Sequence, residues 1–119
     1  MCTTSAFHSS KHEPFVAEFR TKQFEAYQNS VNHGFHHNFI FAEKIALMHA
    51  ELSEALEAYR KGNPPSSHVP QFTGVEEELA DVIIRIMDTA QAISLDVASA
   101  VVAKMKFNET RPHMHGKRF

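Results

Sequence analysis

The feature that most constrains the fold of this chain is the spacing of its apolar residues, which recur at steps of three and four. The clearest run spans residues 40–61, and its apolar members are Phe41, Ile45, Met48, Leu52, Ala55 or Leu56, and Tyr59. Such spacing places these side chains on one stripe of an α-helix. No segment alternates apolar and polar residues as a half-buried strand does. The sequence therefore predicts an all-α protein.

Turn signals separate this second predicted helix from its neighbours. A first helix is predicted over residues 14–30, because Pro14 suits a first helical turn and Asn32-His33-Gly34 breaks the pattern. After the second helix, Gly62 supplies a stop and the two prolines that follow forbid continuation. Residues 62–73 are therefore predicted to form a loop.

Two more helices are predicted after the loop. The third begins near Thr73 or Gly74 and ends near Ala92, and its first turn carries three glutamates that the helix dipole favours. Ser94 is expected to cap the fourth helix, which ends by about Glu109, ahead of an Arg-Pro pair.

The domain organisation follows from the length of the chain. With 119 residues the chain has room for one domain. Residues 1–13 show no period and are predicted to be a flexible arm, whereas residues 14–119 are predicted to form a single helical domain. The last residues of that domain, from about 110 to 119, are expected to be a C-terminal tail.

Composition and charge exclude several classes of protein. Hydrophobic residues make up 43% of the chain and charged residues 22%, which is typical of a globular protein. The net charge of -2 gives no field that attracts a nucleic acid polymer, so any phosphate binding must be local. No run approaches the roughly 18 apolar residues of a membrane span. The single cysteine and the lack of a leader pattern favour the cytoplasm.

Two pairs of carboxylates flank the apolar stripes of the second and third predicted helices. Glu51 and Glu54 flank the first of these stripes, and Glu78 and Asp81 flank the next. If the two helices pack antiparallel, the four acids converge and need cations to neutralise them. Oxygen ligands favour hard cations, so Mg²⁺ is the predicted cofactor, with Mn²⁺ as a substitute.

A simpler interpretation of these acids stays open. They could be surface residues that form helix salt bridges, such as one between Asp81 and Arg85. The nine histidines do not point to another metal, because none lies three residues after a glutamate and none has a cysteine at ligand spacing.

The residues around the four acids resemble a known family. The pattern Glu51-x-x-Glu54, twenty-three intervening residues and Glu78-x-x-Asp81 is similar to the signature of the MazG-like all-α nucleoside triphosphate pyrophosphohydrolases. The similarity covers roughly residues 20–117. Its closest stretches are Lys44 to Arg60, Glu78 to Asp88 and Lys104 to Lys117.

The resemblance implies a fold, an assembly and a reaction. The expected fold is a four-helix MazG-like arrangement that forms a homodimer or a dimer of dimers, which is a homotetramer. The expected reaction is Mg²⁺-dependent hydrolysis of a (deoxy)nucleoside triphosphate to a monophosphate and pyrophosphate, in nucleotide-pool housekeeping. The four acids would hold the metal, and Glu51 or Glu54 would act on the attacking water, with Glu54 the preferred base.

The resemblance also covers residues expected to contact the phosphates. Lys104 and Asn108 lie one turn apart on the fourth predicted helix, and Arg111 follows its end, so we expect these three residues to form a phosphate clamp. The other expected contacts are Lys44, His115 and Lys117. Two alternatives stay open: Lys44 could pair with an acid, and the tail could simply be exposed to water.

Aromatic residues and overall function leave further alternatives. Phe35, Phe39 and Phe72 belong either to the core or to a platform for the base. Gly34-Phe35 departs from the Gly-Trp pair that related chains often show. A non-catalytic helical dimer, acting as a nucleotide-sensing or protein-interaction module, is the alternative to an enzyme. Self-association is also expected because the apolar stripes exceed what two short companion helices can cover.

Overall fold

The computed structural model describes residues 13–119, so the predicted N-terminal arm lies outside the described residues except for Glu13. Its secondary structure comprises four α-helices and a short 3-10 turn, and no β-strand occurs within residues 13–119. The elements are α1 (Glu13–Asn32), α2 (Phe41–Arg60), α3 (Gly74–Ala92), α4 (Val97–Glu109) and the 3-10 turn His113–Gly116. The predicted all-α class is confirmed.

The described residues fall into two compact units. Residues 23–94 form one unit, here called the central unit, which contains the end of α1 and all of α2 and α3. Residues 13–22 and 95–119 form the other, here called the terminal unit, which contains the start of α1, all of α4 and the tail.

In the central unit, α2 and α3 pack against each other. The first residue of α3 lies beside the end of α2, because a Cβ atom added to Gly74 would come within 3.2 Å of the Cβ of Ala58. Further along α3, Arg85 bonds to Glu51 near the middle of α2. The two helices therefore run antiparallel, which is the packing that brings their acidic residues together.

The loop between α2 and α3 satisfies the first backbone donors of α3. Thr73 and Glu76 form a capping box, in which each side chain accepts a hydrogen bond from the backbone N–H of the other residue. The side chain of Asn63 accepts a third bond from the N–H of Val75, at 2.9 Å. These bonds hold the start of α3, just ahead of the acidic residues, in one position.

The apolar stripe of α2 is not a buried core within the described residues. Its predicted centre is exposed: 49% of Phe41, 47% of Leu52 and 72% of Tyr59 remain accessible. The buried residues of α2 are instead Lys44 and Ala55. Helical periodicity located the stripe but not what covers it, because a periodic pattern marks an apolar face without naming its partner.

The terminal unit has a small core and a capped helix. Val16, Ala98 and Val102 are buried, and Phe19 packs against them. The cap of α4 differs from the prediction, because Asp96 rather than Ser94 accepts the hydrogen bond from the backbone N–H of Ser99. Ser94 has a positive φ of 60° and lies in the turn after α3, so it is not at the helix start.

Within residues 13–119, no single helix has the length and apolar character needed to cross a membrane. The bent pair of α3 and α4 meets those two criteria only when both helices are taken together.

Candidate metal centre and phosphate-binding residues

The carboxylates predicted from the sequence lie close together on α2 and α3. One oxygen each from Glu51, Glu54 and Glu78 lies within 4.8 Å of the others. Glu78 and Asp81 form a second group with Glu77 at the same spacing. Glu78 belongs to both groups, so the four predicted acids, here called the candidate metal centre, adjoin one another.

The close approach of these acids changes their protonation. Burial and the neighbouring carboxylates, first among them Glu54, raise the pKa of Glu78 from 4.5 to about 7. Burial and the charge of Glu51 also raise the pKa of Asp81, although Arg85 acts in the opposite direction. Negative charge is therefore in excess at this point of the molecule, and a cation would relieve it.

Arg85 pairs with Glu51 and not with Asp81, the partner suggested by helical spacing. Its Nε donates a hydrogen bond of 2.7 Å to a carboxylate oxygen of Glu51. Both side chains are partly buried, with 34% of Arg85 and 13% of Glu51 accessible. Within residues 13–119, this is the one ion pair made by any of the four acids of the candidate metal centre.

Glu77 was not singled out from the sequence, yet it adjoins the candidate metal centre. The hydroxyl of Ser66 donates to one of its carboxylate oxygens, and Nδ1 of His68 lies 2.6 Å from the other. The bond from Ser66, followed by that from His68, lowers the pKa of Glu77. Both carboxylate oxygens of Glu77 thus contact residues of the loop between α2 and α3. The run of three glutamates gave no sign of which member faces the loop.

A pocket of about 310 Å³ opens beside the candidate metal centre in the central unit. It combines carboxylates with two cations and several uncharged groups. Its lining residues are Ala26, Asn29, Ser30, Phe35, Lys44, Glu51, Asp81, Ile84, Arg85 and Asp88. Since Glu51 and Asp81 belong to both, the pocket and the acids form one continuous site.

Lys44 lies in this pocket but is held by the backbone. It is buried, and its Nζ donates a 2.9 Å hydrogen bond to the carbonyl oxygen of Phe35. The same ammonium lies 5.8 Å from the centre of the Phe39 ring. The alternative of a salt bridge is therefore not observed, and the contact with phosphate stays a prediction.

The aromatic residues near the pocket differ in their surroundings. Phe35 is 62% exposed and Phe72 is 49% exposed, so neither is a core residue within the described part of the chain. Phe39 is partly buried and stacks on His36, whose Nε2 lies 2.5 Å from a carboxylate oxygen of Asp88. Asp88 in turn lines the pocket, and His36 therefore supports the pocket wall.

The predicted phosphate clamp belongs to the terminal unit. Nζ of Lys104 lies 4.9 Å from the centre of the Phe107 ring, and the guanidinium carbon of Arg111 lies 5.6 Å from it. Both cations therefore rest against one aromatic ring. The Oδ1 atom of Asn108 is buried and has no hydrogen-bond partner among residues 13–119.

The other two predicted phosphate contacts follow the clamp. His115 lies in the 3-10 turn with a positive φ of 54°, and Lys117 comes directly after that turn. Both side chains are exposed. They belong to the terminal unit, as the clamp does, whereas the four acids belong to the central unit.

The candidate metal centre has the ligands that a hard divalent cation requires. All its donors are carboxylate oxygens, they come from two packed helices, and burial together with the neighbouring carboxylates raises the pKa of Glu78. Comparison with known proteins finds no matching family model, no matching curated protein and no matching solved structure. The resemblance to the MazG-like enzymes therefore stays a prediction from the residues.

Proposed function

We propose that this protein is a Mg²⁺-dependent, MazG-like nucleoside triphosphate pyrophosphohydrolase that cleaves between the α and β phosphates. The observation that carries the proposal is the convergence of three carboxylates, Glu51, Glu54 and Glu78, whose oxygens lie within 4.8 Å of one another. Part of the proposal is a housekeeping role in the cytoplasmic nucleotide pool, and the single cysteine supports that compartment.

The four acids divide the work of the reaction. Bound there, Mg²⁺ or Mn²⁺ would neutralise the triphosphate and lower the pKa of a bound water. Glu51, Glu78 and Asp81 are partly buried, which suits ligands that must keep their positions. Glu54 is exposed, so its carboxylate is the one best placed to take a proton from water and pass it to solvent. This supports Glu54 as the base, with Glu51 beside it.

The adjoining pocket supports a phosphate ligand. Its volume of about 310 Å³ falls at the lower end of small-molecule sites. Lys44 and Arg85 bring positive charge next to the carboxylates Glu51 and Asp81. A ligand that carries both negative charge and a divalent cation matches this mixture, because each part of the ligand then meets the opposite charge.

The resemblance adds the residues of the predicted clamp, which lie in the terminal unit, to the proposal. Lys104 and Arg111 are assigned to phosphate oxygens, as a point charge and as a planar fork respectively. The unpartnered Oδ1 of Asn108 supports a role for that side chain in binding. His115 and Lys117 are assigned to the same clamp because they are exposed just beyond it.

A non-catalytic interaction module is the second candidate, and the exposed apolar residues favour it. Leu52, Leu56, Leu79 and Ile83 are all between 44% and 52% exposed. The same surface supports assembly of the proposed enzyme as a homodimer or homotetramer. Light scattering at micromolar concentration is expected to return twice or four times the 13.5 kDa of one chain. A stable monomer would contradict the assembly.

Product analysis separates the two candidates. Canonical, deoxy and oxidised nucleoside triphosphates are incubated with the protein and Mg²⁺, and the products are resolved as monophosphate, pyrophosphate or orthophosphate. The enzyme is expected to release equal amounts of monophosphate and pyrophosphate from at least one of them. Nucleotide binding without any product would favour the module, and orthophosphate as the first product would contradict cleavage between the α and β phosphates.

A further inference from the structure

Arg85 contributes positive charge to the pocket of the proposed function, yet it is bonded directly to an acid of the candidate metal centre. We propose that Arg85 is a movable counter-ion. In the metal-free protein it neutralises Glu51, and when a divalent cation takes that carboxylate, Arg85 leaves it and binds a phosphate group of the substrate. This inference rests on the proposed function, since it needs both a cation and a phosphate.

The bond between Arg85 and Glu51 explains how the metal-free protein tolerates this acid. Only 13% of the Glu51 side chain is accessible, and an isolated carboxylate at such a position is costly unless a cation pairs with it. Arg85 supplies the cation through a hydrogen bond of 2.7 Å from Nε. A metal ion bound to Glu51 would neutralise the same carboxylate, so Arg85 would no longer be needed as its counter-ion.

The way in which Arg85 holds Glu51 leaves the rest of its guanidinium available. The bond uses Nε, and among residues 13–119 no hydrogen bond engages either terminal nitrogen of this side chain. Those terminal nitrogens form the planar fork that binds two oxygens of a phosphate group. A residue with a purely structural role at Glu51 would be expected to use this fork on the carboxylate itself.

Arg85 lies close to both the carboxylate that it would leave and the pocket that it would enter. It lies one helical turn after Asp81 on α3, and it lines the same pocket as Lys44, Glu51 and Asp81. About a third of its side chain is accessible, so the guanidinium has room to turn toward the pocket. The movement requires only new side-chain rotamers, because the acid it leaves and the pocket it enters share a wall.

Metal binding tests the competition between Arg85 and the cation. Mn²⁺ alone is titrated into the wild-type protein, Arg85→Gln and Arg85→Lys, and free Mn²⁺ is followed by electron paramagnetic resonance. Arg85→Gln is expected to bind Mn²⁺ at least fivefold more tightly, because a competing charge is gone. Arg85→Lys keeps the charge and is expected to stay near wild type. Arg60→Gln, an exposed arginine at the end of α2, is the control and should not change.

The outcomes separate this inference from the proposed function. If the wild-type protein binds no Mn²⁺, the result contradicts both the proposed metal centre and the proposed role of Arg85 as its counter-ion. If the wild type binds Mn²⁺ but Arg85→Gln binds it equally or more weakly, only the counter-ion is overturned. Equal tightening in Arg85→Gln and Arg85→Lys would also overturn it, since the effect would then not come from charge.

Phosphate binding tests the second half of the exchange. Inorganic pyrophosphate is titrated into each variant at saturating Mn²⁺. Arg85→Gln is expected to bind pyrophosphate at least tenfold more weakly, and Arg85→Lys is expected to fall between this variant and the wild type because it lacks the fork. Pyrophosphate affinity that is unchanged in Arg85→Gln would overturn the transfer to phosphate.

The wild-type protein provides a measurement that no folding defect can distort. The Nε–H group of Arg85 gives a signal in a ¹⁵N correlation spectrum, and its absence from the spectrum of Arg85→Lys assigns it. Bonded to a partly buried carboxylate, this proton is expected to exchange slowly with water. Saturating Mg²⁺ is expected to shift the signal and speed its exchange. An unchanged signal at saturating Mg²⁺ would overturn the release of Arg85.

Discussion

The two groups of charged residues in this protein are built differently. The acids of the candidate metal centre lie on two packed helices, and their oxygens approach within 4.8 Å although their charges repel. The cations of the predicted phosphate clamp are Lys104, in the second half of α4, and Arg111, just after the end of α4, and both rest on the exposed ring of Phe107.

The two groups differ in how firmly the fold holds them in place. Packing of α2 against α3 holds the acids together, and burial and the neighbouring carboxylates raise the pKa of Glu78 as a result. Lys104 and Arg111 incur no comparable cost, because contact with a ring at the surface leaves a cation largely hydrated. We therefore expect the acids to be preorganised and the clamp to gain order when phosphate binds.

The largest expected effect comes from the acids. Glu54→Gln or Asp81→Asn is expected to lower kcat by at least about a thousandfold, or about 4 kcal/mol, because each removes one charge from the metal centre while preserving side-chain shape. Steady-state pyrophosphate release measures the loss, and circular dichroism is expected to show unchanged helix content.

Glu57→Gln is the matched control for these acid variants. Glu57 lies on α2 within one turn of Glu54, but its partner is the exposed Lys61, at 3.6 Å. It should therefore keep wild-type activity. Full activity in Glu54→Gln and Asp81→Asn would remove the acid group from the catalytic proposal.

A smaller loss is expected from the clamp. Lys104→Ala or Arg111→Ala is expected to lower kcat/KM at least tenfold, about 1.4 kcal/mol, because the variants lose one charge among several on the phosphates. Phe107→Ala sharpens the comparison, since it keeps both cations but removes the ring on which they rest. Lys106→Ala, an exposed lysine on the same helix, is the control. Wild-type kcat/KM in both Lys104→Ala and Arg111→Ala would contradict a role for the clamp in phosphate binding.

The sequence predicted the helices and the acidic residues, but not how the cations are used. Helix bounds came within a few residues because Pro14, Gly62 and Thr73 give local signals that act through the backbone. The convergence of acids required only that α2 and α3 run antiparallel across the loop that joins them. Ser94 was wrong as a cap, because the choice between two nearby capping residues depends on where the turn after α3 ends.

The contacts that the sequence did not predict all cross between elements. Arg85 and Glu51 are 34 positions apart, and helical spacing pointed to Asp81 instead. Lys44 bonds to the carbonyl of Phe35, which no pattern of side chains can indicate. The first pairing depends on the rotation of one helix about its axis relative to another, and the second depends on the path of the chain between α1 and α2; periodicity determines neither.

The raised pKa of Glu78 predicts a pH dependence of stability that originates at the candidate metal centre. The folded protein binds a proton at Glu78 up to about pH 7, whereas the unfolded chain releases it near its ordinary value of 4.5. Stability of the metal-free protein is therefore expected to fall as pH rises from about 4.5 to 7.

Urea unfolding at a series of pH values measures this effect. Glu78→Gln is expected to flatten the dependence, whereas Lys104→Ala in the terminal unit is expected to leave it unchanged. Mg²⁺ is expected to raise stability most above pH 7, where it no longer competes with the proton on Glu78. Metal-free stability that rises with pH over this range would contradict the strained acid group.

The smallest expected effect concerns the positioning of the acids along α3. Thr73→Ala removes one side of the capping box and is expected to cost about 1 kcal/mol of stability. Because α3 is also held by Asn63 and by packing on α2, the acids should keep their places and kcat should fall less than twofold. Asp96→Ala, which removes the cap of α4, is the counterpart in the terminal unit. If the acids are preorganised and the clamp is not, Asp96→Ala should raise KM more than Thr73→Ala does. Equal effects on KM would show that the two groups are held with similar rigidity.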